Sequence, residues 1–79
     1  MGYKSLHSCL LKSQVVVASF DLSEAERLNC NVQGLNLGTQ LTVLARPGFA
    51  AKATVVELED GVRLAVDAHL ASKILVTPL

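Results

Sequence analysis

Few side chains in this 79-residue chain are of types that do chemistry. The soft metal donors are His7, Cys9, Cys30 and His69. No two of them form a C-x-x-C pair or a His pair at i, i+4, the spacings that structural zinc sites use. A metal-binding or metal-sensing protein would need these four donors to converge in space, and that is the alternative reading of the chain. There is no G-x-S-x-G elbow, and neither cysteine has a histidine placed to activate it. Asp21, Glu24 and Glu26 crowd a helix start, where capping accounts for them. Glu57, Glu59 and Asp60 flank a turn, where solvation accounts for them. No nucleophile–base constellation emerges, so no catalytic residue, intrinsic metal site or cofactor is expected.

The glycines pose a sharper question. "GLNLG", residues 34 to 38, leads into an alternating apolar run. A phosphate loop needs four residues between its glycines and a following Lys, whereas Gly34 and Gly38 are separated by three and followed by Thr39. A dinucleotide fingerprint runs from strand to helix, and this pair runs from helix to strand. The spacing instead has Gly34 ending a helix in a left-handed cap and Gly38 turning the chain into the next strand. Leu35 and Leu37 stand in that turn, where polar residues are the norm. Either they plug the mouth of a small core, which a chain this short favours, or with Phe49 of a later loop they form a partner-facing patch.

The elements that hold these residues are legible from period and punctuation. Residues 1–13 place Tyr3, Leu6 and Leu10 at helical spacing but lack a strong cap, and are expected as a loose N-terminal extension, as readily a turn as a helix. "QVVVASF" (14–20) reads as a strand. Ser23 with Glu26 makes a capping box for a short helix over about 23–31, and Asp21 with Glu24 offers the same pairing. "TQLTVLAR" (39–46) and "AKATVVEL" (51–58) read as strands joined by a turn containing Pro47 and Gly48. The Asp60-Gly61 pair predicts a tight hairpin with positive φ angles into "VRLAV" (62–66). Asp67 caps a single turn, and "ILVT" (74–77) is a last strand. The result is a single mostly β domain: a small five-stranded antiparallel barrel, with one short helix after the first strand and a one-turn helix before the last.

Composition narrows the function classes. The chain is 51% apolar and 18% charged, with zero net charge. Its cations, Lys4, Lys12, Arg27, Arg46, Lys52, Arg63 and Lys73, form no run, which argues against a nucleic-acid binder or attachment to an anionic membrane. Only Tyr3, Phe20 and Phe49 could stack on bases. Two cysteines are too few for a disulfide framework, and no run approaches the ~18 apolar residues of a membrane span, so a cytoplasmic chain without membrane insertion is expected. Low net charge and an open sheet edge make a weak homo-oligomer plausible.

The order of these pieces is itself informative. Arg27, then Gly34, Leu35 and Gly38, then Pro47 and Gly48, then Arg63, Leu64 and Ala65 resembles the recurring pattern of the FeoA family, ferrous iron transport protein A, over residues 14–77. The chain departs from it at Leu37, where the family usually has Pro, and at Ser13, where Gly is typical. It also departs on the helix face, where Cys30, Asn31 and Gln33 replace Leu and Met, and after Pro47, where Asp-Pro is missing. The resemblance implies an SH3-like barrel and a non-catalytic accessory role in the cytosol. The partner it implies is the membrane-embedded, GTP-dependent ferrous iron permease. It implies no iron ligand on this chain, and the same barrel occurs appended to metal-dependent repressors. The residues expected to meet the partner are Arg27, Leu35, Leu37 and Phe49; Gly34, Gly38, Pro47, Gly48 and Gly61 are expected to serve as turns.

Overall fold

A computed structural model describes residues 3–46 and 53–79. The turn residues Pro47 and Gly48, and the contact candidate Phe49, lie outside the described residues. Six strands form one antiparallel sheet: β1 (Lys4–Ser5), β2 (Gln14–Phe20), β3 (Gln40–Ala45), β4 (Ala53–Leu58), β5 (Arg63–Asp67) and β6 (Ile74–Pro78). Their order across the sheet is β1-β6-β2-β3-β4-β5. The helix α1 (Glu24–Val32) follows β2, and the one-turn α2 (Ala68–Ala71) precedes β6. The mostly β, SH3-like architecture is therefore the one the sequence implies, with a short extra strand at its beginning.

That extra strand corrects the expectation for the N-terminal segment. Lys4 pairs with Val76 and Ser5 with Leu75 on β6. A 3-10 turn over Leu6–Ser8 then drops Leu6 fully into the core, where it packs beside Cys9. Burying Leu6 contributes about 2 kcal/mol to a small core.

Inward-facing residues alternate as the two-residue strand period requires: Val15 and Val17, Leu41 and Val43, Thr54 and Val56, Ile74 and Val76. Register shifts between Val17 and Ser19 on β2, and between Val43 and Ala45 on β3, bend the sheet so that these side chains meet. At the far side α2 packs against β4, β5 and the N-terminal 3-10 turn. Asp67 caps this helix by accepting the Leu70 N–H at 2.8 Å.

Two local expectations are refined. Of the two possible capping boxes, Ser23–Glu26 forms, with Glu26 N–H donating to Ser23 Oγ at 3.2 Å and Ser23 N–H to Glu26 Oε1 at 3.0 Å. The Asp60-Gly61 hairpin is not a two-residue turn. Leu58 N–H donates to Val62 O at 2.8 Å, Gly61 N–H donates to Leu58 O at 3.0 Å, and Gly61 alone takes positive φ, at 88°. That is a three-residue loop, Glu59 to Gly61, with its glycine in the left-handed position.

The capping box carries a pH signature. The Ser23 backbone N–H, followed by the Ser23 hydroxyl, holds the Glu26 carboxyl below its ordinary value of 4.5. A carboxyl with a depressed folded pKa stabilises fully above its ordinary value, and that stabilisation is lost as pH falls through the folded value. Replacing Ser23 with Ala should lower stability by about 1 kcal/mol at neutral pH, measured by urea denaturation. Because Ala keeps the Ser23 backbone N–H, most of that gap should persist at low pH, whereas the gap between Glu26→Ala and wild type should narrow as the pH is taken below the carboxylate range.

Candidate functional site

The four soft donors do not assemble. His69 is exposed on α2, His7 lies in the N-terminal 3-10 turn with its Nδ1 buried and unpartnered, and both cysteines are buried free thiols. The Cys9 thiol donates to Ser5 O at 3.5 Å, and Cys30 is the one buried residue of α1. Among the described residues no three of His, Cys, Asp or Glu come close enough to hold a metal ion. Burial pushes both thiols up; Lys4 and Arg46 partly offset this at Cys9, while Glu26 and Asp67 add to it at Cys30. Neither is poised as a nucleophile. The cleft of about 330 Å³ between Gln14, Gln40, Thr42, Glu57, Glu59 and Leu79 is lined by amides and carboxylates without a histidine or cysteine. Glu57 there is engaged by Arg63 at 3.2 Å.

The "GLNLG" segment resolves residue by residue. Gln33 caps α1; Gly34 follows at φ 99°, its N–H donating to Asn31 O at 3.1 Å, and Leu35 N–H donates to Cys30 O at 2.9 Å. These two bonds make a Schellman motif, whose usual apolar contact is supplied by Leu35 and Cys30, both in the core. A Cβ on Gly34 would sit 3.1 Å from Leu58 Cδ1. Thr39 N–H then donates to Asn36 O at 3.0 Å, with Gly38 alone at positive φ, 87°, which is a type II turn. Gly38 N–H donates to Val17 O at 2.8 Å, stitching this turn to β2.

The two leucines therefore part company. Leu35 is fully buried and plugs the core, so it offers a partner no side-chain surface, whereas Leu37 is 63% exposed. Leu37 occupies the second turn position, the one type II turns commonly give to Pro. In this chain the turn presents a flexible apolar side chain instead of a ring.

The larger exposed apolar feature is on α1, and reading the sequence for contact residues missed it. Ala25, Leu28 and Val32 follow one another at i, i+3 and i+7, and all are exposed, Val32 at 86% and Leu28 at 53%. At 100° per residue this stripe lies almost opposite Cys30, the side that meets the core. Arg27 is exposed on the flank of α1 between the Cys30 side and the stripe. The spacing was visible in the sequence, but an apolar helical stripe ordinarily packs inward. Here the Schellman motif fixes Cys30 and Leu35 inward, so the stripe must face out.

The FeoA domain model matches residues 4–78. The chain belongs to the FeoA family. A crystal structure of an iron uptake regulatory protein (FeoA) superposes with a TM-score of 0.84 at 20% identity, each chain covered in full. FeoA from Chlorobium tepidum superposes with a TM-score of 0.81 at 26% identity, over 95% of this chain and 70% of that one. A manganese-dependent transcriptional repressor in complex with manganese gives 0.89 at 25% identity, over 100% of this chain and 38% of the repressor. No curated protein matches the sequence significantly. The family is one of non-enzymatic accessory domains and supports a role in iron uptake. Among the described residues, no helix of this FeoA-family chain is long and apolar enough to cross a membrane.

The split between the leucines gives a direct check. Leu35→Asp should leave a carboxylate in the core and abolish cooperative folding. Leu37→Asp should change stability by no more than about 0.5 kcal/mol, read by circular dichroism in urea. In the native protein both thiols should resist a thiol-specific reagent at neutral pH and react fully once denatured.

Proposed function

We propose that the chain is a non-catalytic accessory protein of ferrous iron uptake, acting in the cytoplasm. In this reading it docks on the cytosolic part of the GTP-dependent ferrous iron permease through the outward face of α1 and the Leu37 turn. The observation carrying the reading is the exposed apolar face of α1, made by Ala25, Leu28 and Val32, with Leu37 exposed in the turn that follows, on a member of the FeoA family. A helix that buries only Cys30 of its nine residues gains little from its own fold. An apolar stripe on its free side suits insertion into a partner's groove. Arg27, exposed on the flank of α1 between the core side and the apolar face, supplies a cation at the periphery of this surface, where charges govern orientation and rate more than affinity. Leu35 contributes indirectly, by fixing the rotation of α1. So small a patch suits a transient contact rather than an obligate complex.

Capture of the tagged full-length chain from detergent-solubilised native membranes tests this. Wild type and Val62→Ser, whose exposed side chain lies in the β4–β5 turn, should both recover the permease. Leu28→Asp and Leu37→Asp should each recover at least tenfold less, since burying either leucine is worth about 1.5–3 kcal/mol. Equal recovery with all four chains would keep the partner and reject the ridge. Failure of the wild type to recover the permease in any nucleotide state would reject the reading itself.

A further inference from the structure

The chain is neutral overall, but the fold polarises it. All seven acids, Asp21, Glu24, Glu26, Glu57, Glu59, Asp60 and Asp67, lie on the α1 segment, on β4 and β5, or in the turn between those strands. The four strands adjacent at the other side of the sheet, β1, β6, β2 and β3, carry none. Neither does the stretch that joins β1 to β2. Cations gather on this acid-free side. Lys4 is exposed on β1 and lines a cleft of about 170 Å³ with Cys9, Leu10, Ser13 and Pro78. Lys12 is exposed where its backbone N–H bonds Val43 O, three residues before the exposed Arg46.

Within this cationic surround the chain exposes a pair of leucines. Leu10 is 66% and Leu11 56% exposed, and Tyr3, preceding Lys4, is 62% exposed. The leucines sit on a tight turn closed by Ser13 N–H donating to Leu10 O at 3.2 Å. Its third residue, Lys12, is the one described non-glycine residue at positive φ, 65°. Glycine takes that conformation without cost, yet the position holds a lysine, so strain is tolerated where a cation stands beside the two leucines.

We propose that this turn is a peripheral membrane-docking tip: Leu10 and Leu11 enter the interfacial region of an anionic phospholipid surface while Lys4, Lys12 and Arg46 lie against its phosphates. Apolar tips ringed by Lys and Arg combine the two forces that hold proteins on such surfaces, burial among acyl chains and attraction to anionic headgroups. An exposed tyrosine beside a lysine fits the same boundary, with its ring apolar and its hydroxyl wet. Nucleic acid would meet the cations but leave the leucines in water. The tip is distinct from the α1 ridge, and it needs no permease.

The test is flotation of the full-length chain with vesicles of equal parts phosphatidylglycerol and phosphatidylcholine, against phosphatidylcholine alone. Wild type should float with the anionic vesicles and not with the neutral ones, and should detach at about 0.5 M salt, where screening is nearly complete. Leu10→Ser with Leu11→Ser should reduce partitioning by about tenfold or more. Lys12→Gly, which relieves backbone strain and so should fold at least as well as wild type, should reduce it about fivefold. Val62→Ser, outside the tip, should leave it unchanged. Absence of flotation, equal flotation with both vesicles, or indifference to the leucine pair would each overturn the proposal. If only Lys12→Gly mattered, headgroup charge alone would be holding the chain and the leucines would not enter the lipid, which would equally overturn the proposal. Because the vesicles contain no protein, neither result bears on docking to the permease.

Discussion

The end of α1 is the constraint on which the proposed docking surface depends. The Schellman motif ties Leu35 N–H to Cys30 O and carries the Leu35 side chain into the core beside Cys30. A helix held by one buried residue and one C-terminal anchor has a single rotational setting, and in it Ala25, Leu28 and Val32 face away from the sheet. Gly34 makes the motif possible, because only a residue without a Cβ fits both its positive φ and the approach of Leu58. The next turn, bonded to β2 through Gly38, then sets Leu37 outside. One leucine inward therefore determines four apolar side chains outward.

Much of the fold was legible because each strand announces itself in two ways, by β-branched residues and by alternation. β2, β3, β5 and β6 begin or end within about one residue of where the pattern puts them, and the Ser23–Glu26 box marks the start of α1. The N-terminal strand was not legible, since two residues show no period and Lys4 and Ser5 have no strand preference of their own. Its pairing exists because β6 offers an open edge and Leu6 needs a place in the core. The hairpin was misread for a similar reason: Asp-Gly signals a turn, but the number of loop residues is set by which flanking pair, Leu58 and Val62, closes the ladder.

The candidate surfaces were less legible than the elements, and the cause is directional. A sequence states that a stripe is apolar, not which way the helix is turned, and the default of turning it inward fails for α1. It likewise states that Leu35 and Leu37 share a turn, not that backbone geometry sends one into the core and the other into solvent. Charge behaves in the same way. Seven cations and seven acids scattered along 79 residues sum to zero, and only the sheet order shows that one side collects no acid at all.

A small core explains why these exposed apolar groups can be read as functional rather than incidental. A domain of this size buries only about 60% of its unfolded surface, and the same core is filled to the point of taking in Leu6, both cysteines and Ala71. A chain that uses thiols and an alanine to complete its interior has every physical reason to bury Leu28, Val32 and Leu37 as well. Leaving them in water forgoes about 1.5–3 kcal/mol for each large side chain, in a molecule whose whole stability is on the order of 5 kcal/mol. Scattered single leucines on a surface need no such reasoning, but Leu28 and Val32 on one face of a barely buried helix, with Leu37 exposed in the turn after it, do. In the proposed docking, a partner covering the exposed face of α1 closes that deficit.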